Sequence, residues 1–208
     1  MKYKLYEVGG HVRDHLLGLK SKDIDYSVVL EDISKPIEEV FWNFEDQLKD
    51  EGYEVFLSTE ECFTIRAKFP KDHQHSGVAD FVLARREIYY PEGGRRPISE
   101  LGTLEDDLLR RDFTVNAMAK DIDGNIVDLF GGMQDLNLGS LDTPGDPNLS
   151  FRDDPLRIIR GMRFCITKDF TFCRDVRNAI TEIGIHGMEV VSEERIREEM
   201  YKCFHHDT

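Results

Sequence analysis

Several things are scarce in this chain of 208 residues, and each scarcity excludes something. Its longest apolar runs fall short of the roughly eighteen residues that a membrane span needs, and no signal peptide precedes Met1-Lys2-Tyr3, so a cytoplasmic protein with no membrane contact is expected. The four cysteines, Cys62, Cys165, Cys173 and Cys203, show neither CxxC nor Cys/His spacing, which argues against a zinc site and for free thiols. Basic side chains are few: 27 Lys and Arg against 41 Asp and Glu, a net charge of −14, which disfavours a large non-specific nucleic-acid surface. That deficit is local. Residues 1–150 hold 17 basic and 30 acidic side chains, whereas residues 151–208 hold 10 and 11, so a polyanion should meet the C-terminal segment and the active-site cleft. Internal repeats and low-complexity tracts are lacking, and 40% hydrophobic residues suffice for the core of one large domain or two small ones.

What is present begins at Val8-Gly9-Gly10-His11-Val12-Arg13-Asp14, followed nine residues later by Asp23-Ile24-Asp25. A glycine pair after a strand lets backbone N–H groups approach phosphate oxygens without a Cβ in the way. The segment Val12 to Leu17 reads as a helix start, whose dipole also favours an anion, and Arg13 would add a planar charge with fork geometry. An ordinary strand–turn–helix corner would show the same glycines. The run Asp23 to Leu30 has strand composition, so Asp23 and Asp25, at i and i+2, point to one face while Ile24 points to the other. Two carboxylates that close repel each other, and a divalent cation is their natural partner; hard oxygen donors beside phosphates suit Mg²⁺.

Ser34-Lys35-Pro36 should open a helix capped by Ser34, with Val40, Phe41, Phe44 and Leu48 at helical spacing. Strands are expected at 53–57, 62–69 and 78–84, with His73-Gln74-His75 in a polar turn, and Pro91 to Gly102 reads as a mobile loop. Leu104 to Ala119 has a helical pattern, and Asp121 to Asn125 makes a hairpin turn. Beyond Ser150 the pattern is helix only, the last helix, 191–204, presenting a charged surface through Glu194 to Glu199.

Three further constellations carry chemistry. Arg110-Arg111-Asp112-Phe113-Thr114-Val115-Asn116-Ala117 could position a triphosphate and a ribose, or be a helix start with Asp112 as cap. In Arg152-Asp153-Asp154-Pro155-Leu156-Arg157-Ile158-Ile159-Arg160-Gly161-Met162-Arg163, three arginines recur every three residues and form one basic stripe, in most proteins a solvated face; the carboxylates before it can hold arginines or read a base edge. Asp80, in a strand-like run, is a candidate third carboxylate for the metal site or a structural strand residue.

In this order the motifs resemble the head and neck of bacterial-type (class II) CCA-adding tRNA nucleotidyltransferases and the related bacterial poly(A) polymerases. The matching stretches are Gly9 to Asp14 with Leu17-Gly18 and Asp23-x-Asp25; Ala84 to Glu87 with Tyr90; Arg110 to Ala119; Asp128 to Gly132 with Asp135-Leu136; Asp154 to Phe164; and Ser192 to Lys202. The resemblance implies an α+β fold: a polymerase-β-like nucleotidyltransferase head over 1–150 and an all-helical neck over 151–208. It implies Mg²⁺ on Asp23 and Asp25, triphosphate contacts at Gly9, Gly10, Arg13 and Arg111, support from Asp112 and Asn116, base reading by Asp154 and Arg157, and a nucleotide pocket completed by Arg160 and Arg163. The implied activity is addition of C and A from CTP and ATP to the 3′ end of tRNA. Alternatives are poly(A) addition, CC-only or A-only addition, and a non-catalytic nucleotide-binding module; retention of both Asp23 and Asp25 argues against the last. A basic–aromatic run of the poly(A) polymerase type is lacking after the glycines. Asp153 stands where the family usually has Glu, a loss of one methylene. Family members are about twice as long, so weak tRNA affinity is expected, or a homodimer or partner protein that replaces the missing RNA-binding domains.

Overall fold

The computed structural model describes residues 1–20, 24–73, 75–89 and 98–205. Tyr3–Val8 (β1) leads through a glycine turn into Gly10–Leu16 (α1), then Ile24–Leu30 (β2), Ile37–Asp50 (α2), Glu54–Thr59 (β3), Thr64–Lys68 (β4) and Val78–Leu83 (β5). Arg85–Tyr89 (β6), Ile98–Leu101 (β7), Leu104–Leu109 (α3), Met118–Lys120 (β8) and Ile126–Asp128 (β9) follow. The remainder is Gly132–Leu138 (α4), Ser140–Leu141 (β10), Pro147–Asp153 (α5), Leu156–Lys168 (α6), Thr171–Phe172 (β11), Arg174–Ile183 (α7) and Glu193–His205 (α8).

Among the described residues the main sheet has the order β3-β4-β5-β2-β1-β8-β9, with β2 parallel to β5 and antiparallel to β1. Alternation along the strands divides its faces. Tyr26, Val28 and Leu30 of β2, Ile65 and Ala67 of β4, and Ala79, Phe81 and Leu83 of β5 are buried in one cluster with Val40, Phe41, Phe44 and Leu48 of α2. The helix spacing read from the sequence is thus the face that packs, with Phe44 meeting Phe81 edge-on at 6.3 Å between ring centroids. Asp25, Arg66 and Asp80 alternate to the other face.

Four local expectations change. Ser34 does not cap α2; its N–H and hydroxyl both donate to Asp32 Oδ1, and Pro36 occupies the cap position. The helical pattern of 104–119 is broken after Leu109, because Asp112 binds the backbone N–H of Phe113 and holds it extended. Residues 91–97 of the expected loop lie outside the described residues, but Ile98–Leu101 forms a hairpin partner of β6. The C-terminal part is not helix alone, since β11 pairs in parallel with β10.

Contacts divide the chain into two compact units, Met1–Leu108 with Ala119–Val127, and Leu109–Met118 with Asp128–Thr208, a division unlike the expected boundary at 150. The segment 109–118 belongs to the second unit because Phe113 buries its ring against Phe164 of α6 (6.0 Å) and Phe172 of β11 (6.4 Å). Gly161 makes that packing fit: a Cβ there would overlap the Phe172 ring and lie 2.8 Å from Phe113 Cζ. Gly161→Ala should therefore destabilise the second unit by about 1–2 kcal/mol, overpacking outweighing a helix-propensity gain of about 1 kcal/mol, as a lowered midpoint in chemical denaturation would show.

Candidate functional site

In the first unit, Gly9 has φ 73° and ψ −143°, a conformation that L side chains rarely adopt, and it turns the chain from β1 into α1. Arg13 is 2% exposed and donates through Nε and Nη2 to Asp14 Oδ1 at 2.9 and 2.8 Å. Its guanidinium lies over Gly10, where a Cβ would sit 3.3 Å from Nη2. Arg13 is buried and braces the turn through Asp14.

Asp25 is half-buried on β2 and stands in register between Val8 of β1 and Asp80 of β5. Asp23 lies outside the described residues. Both oxygens of Asp80 accept from Arg66, Nε to Oδ1 and Nη2 to Oδ2, each at 2.7 Å. The strand pairing brings the two aspartates side by side on one face and sets an arginine against one of them. Among the described residues no group of three or more His, Cys, Asp or Glu is placed to hold a metal.

In the second unit, Asp112 organises the cluster. Its Oδ1 accepts the Phe113 N–H (2.8 Å) and Asn116 Nδ2 (2.9 Å), and its Oδ2 accepts Arg160 Nε (2.9 Å) and Nη2 (2.7 Å). Burial alone would push this carboxyl up, but the Arg160 charge and the hydrogen bonds outweigh it and hold it well below the usual carboxylate range. Arg160 also reaches Glu199 Oε1 at 3.4 Å, while Arg163, 4% exposed, donates Nε to Glu199 Oε2 at 2.7 Å. Burial raises the Glu199 carboxyl, and the attraction of Arg163 and Arg160 overcomes it, leaving a net lowering.

Arg157 gives Nη1 to Ser150 Oγ and Nη2 to the Arg110 carbonyl, both at 2.6 Å. Asp154 accepts from Arg195 at 2.9 and 3.3 Å and from the Leu156 N–H at 3.2 Å. The three arginines thus do not form a solvated stripe: 3.6-residue periodicity turns them toward acceptors on α5, α8 and the 109–118 segment. Arg111 sits half-buried in that segment, one residue before Asp112. Glu199 was expected on a charged surface but is 3% exposed and anchors two arginines. No local signal separates it from Glu194 or Glu198; only its i+4 spacing from Arg195, which holds Asp154, hints at a shared face. Asp128 completes the frame by accepting the Gly132 and Met133 N–H groups at 2.8 and 2.9 Å.

Residues 5–142 match the family model described as the poly A polymerase head domain. The chain belongs to that family. Within and beside the head-domain family, the CCA-adding enzyme of Bacillus pumilus is 35% identical over 202 residues, 96% of this chain and 46% of the relative. The multifunctional CCA protein of Nitrosomonas europaea is 37% identical over 201 residues, 95% of this chain and 43% of its own. Among solved structures, the Bacillus stearothermophilus CCA-adding enzyme in complex with CTP has a TM-score of 0.77 at 28% identity, covering 97% of this chain and 44% of that one. The head-domain fold is α+β and polymerase-β-like, as the motif order implied. The chain spans about half the length of the curated relatives it matches. Among the described residues no helix is long and apolar enough to cross a membrane.

Removing one partner of a buried charge pair is costly, so Asp112→Ala should destabilise the second unit by about 3 kcal/mol in urea titration. Because the folded-state carboxyl is depressed, its contribution is complete above the unfolded carboxylate range and drains away as pH falls. Asp112→Asn is accordingly expected to flatten the acid limb of stability against pH, while the neutral-pH midpoint drops.

Proposed function

We propose that the protein is a template-independent nucleotidyltransferase that adds C and A, from CTP and ATP, to the 3′ end of tRNA and releases pyrophosphate. The observation that carries this reading is near-complete coverage of the chain by CCA-adding enzymes, in sequence and in a fold solved with CTP. A related tRNA nucleotidyltransferase solved with a primer tRNA and an incoming ATP analog covers 96% of the chain at a TM-score of 0.71.

Asp25 offers hard carboxylate oxygens on the strand face opposite the α2 core, and with Asp23, two residues before it in sequence, makes a donor set that fits Mg²⁺. When bound there, Mg²⁺ would neutralise triphosphate charge and acidify the attacking hydroxyl. The chain's own groups do the rest by positioning. The Gly9-Gly10 turn leaves room for phosphate oxygens at its backbone N–H groups, and the Arg13–Asp14 pair keeps it rigid. Arg111 is assigned to phosphate, with Asp112 and Asn116 holding its segment in place. Asp80 acts as a structural neighbour of the carboxylate site through Arg66 rather than as a third ligand.

Asp154 and Arg157 are assigned to base recognition. Arg195 leaves Asp154 with further lone pairs, and Ser150 with Arg110 leaves Arg157 with further N–H donors, so both can meet a base edge from fixed rotamers. In the reaction the RNA 3′ oxygen bonds to the α-phosphorus as the bond to the β-phosphate oxygen breaks, and pyrophosphate departs with the electron pair.

Poly(A) addition is the second reading, favoured by the family model's own description. Labelled CTP or ATP with Mg²⁺ and tRNAs ending before CCA, after C or after CC separates the two. Expected is incorporation that stops once CCA is complete, with Asp25→Ala at least about 100-fold slower. Long A tracts would favour the second reading, and no incorporation into any of the three RNAs would sink both.

A further inference from the structure

Glycine permits the conformation at Gly9 but does not hold it; a Gly-Gly pair loses more chain entropy on fixing than any other dipeptide. The Arg13–Asp14 pair braces the turn from within α1, and a second tie runs from the strand that precedes it. Glu7, the second residue before Gly9, is only 8% exposed although it is a carboxylate. Its Oε2 lies 2.6 Å from Lys120 Nζ and 3.1 Å from His11 Nε2, and its Oε1 is 3.9 Å from His75 Nε2. Lys120 is the register partner of Glu7 on β8, whereas His11 lies in the first turn of α1. One carboxylate thus joins the strand before the turn to the helix after it, with its own anchor on the neighbouring strand. The contacts at Oε2 sit at ion-pair distance but off good hydrogen-bond directions, so charge more than directed bonding makes the tie.

We propose that Glu7 is a positioning residue for nucleotide binding: held by Lys120, it ties His11 back to β1 and keeps the Gly9-Gly10 turn in one conformation. The proposal rests on the nucleotide role assigned to that turn. Burial raises the Glu7 carboxyl, but His11 and Lys120 outweigh it and hold it at about 2, so Glu7 is charged at neutral pH. The groups facing Glu7 are His11 from α1, Lys120 from β8, His75 from the loop after β4, and the Tyr26 hydroxyl on β2, which is itself raised by burial and by the Glu7 charge. His75 stands farther off, so His11 and Lys120 carry the tie.

Two readouts test this in the full chain. In amide NMR, the Gly9 and Gly10 resonances should shift and broaden in Glu7→Gln and in His11→Ala while the amides of α2 stay in place. In the nucleotide-addition assay, KM for CTP should rise about threefold in Glu7→Gln and in His11→Ala with kcat moving less, and Glu7→Asp should restore part of it. Unmoved Gly9 and Gly10 amides, or a wild-type KM, in folded Glu7→Gln would overturn the proposal. Moved amides without any nucleotide incorporation would support the clamp and overturn the catalytic reading instead.

Discussion

The second unit depends on a buried carboxylate. Asp112 is surrounded by protein and yet stays ionised, because Arg160 and two N–H donors return what desolvation takes away. From that centre the structure extends outward: Arg160 to Glu199, Glu199 to Arg163, and α8 back to Asp154 through Arg195. Each link joins segments far apart in sequence, and a bidentate arginine admits few geometries, so the network sets rotamers as well as distances. The groups assigned to base recognition therefore start from fixed positions.

The first unit uses a different device. Its α2 covers one sheet face with a continuous apolar cluster, which leaves the other face for charged side chains. Asp25 and Asp80 come side by side on that face because β2 and β5 run parallel and in register. Arg66 then balances Asp80, so the pair does not carry two unopposed charges. Glu7 and Lys120 repeat the pattern: a carboxylate on one strand is matched by a cation from the next strand.

Much of this was legible from residues alone. The strand that carries Asp25, the glycine turn, the apolar face of α2 and the strand composition of β4 and β5 all rest on local patterns, which local sequence contains. Motif order led to the family and to the α+β fold. What misled were cases where long-range partners override a local pattern. The helical rhythm of 104–119 is broken by the Asp112 side chain, and the three-residue arginine spacing, which leaves a solvated face and a binding site both open, is turned inward by Glu199, Asp112 and Ser150.

By itself, then, the sequence determined the elements, their amphipathic faces and the chemical identity of the candidate ligands, because those follow from spacing along one segment. Only the tertiary structure decided which charges are spent inside the protein. Arg13 on Asp14, Arg66 on Asp80 and Arg163 on Glu199 are indistinguishable from solvent-facing arginines in a linear reading. Charge is written in the residue, but which charge is taken up inside the protein is set by how the chain packs around it, whether the partner is the next residue, as for Arg13, or 36 residues on, as for Arg163.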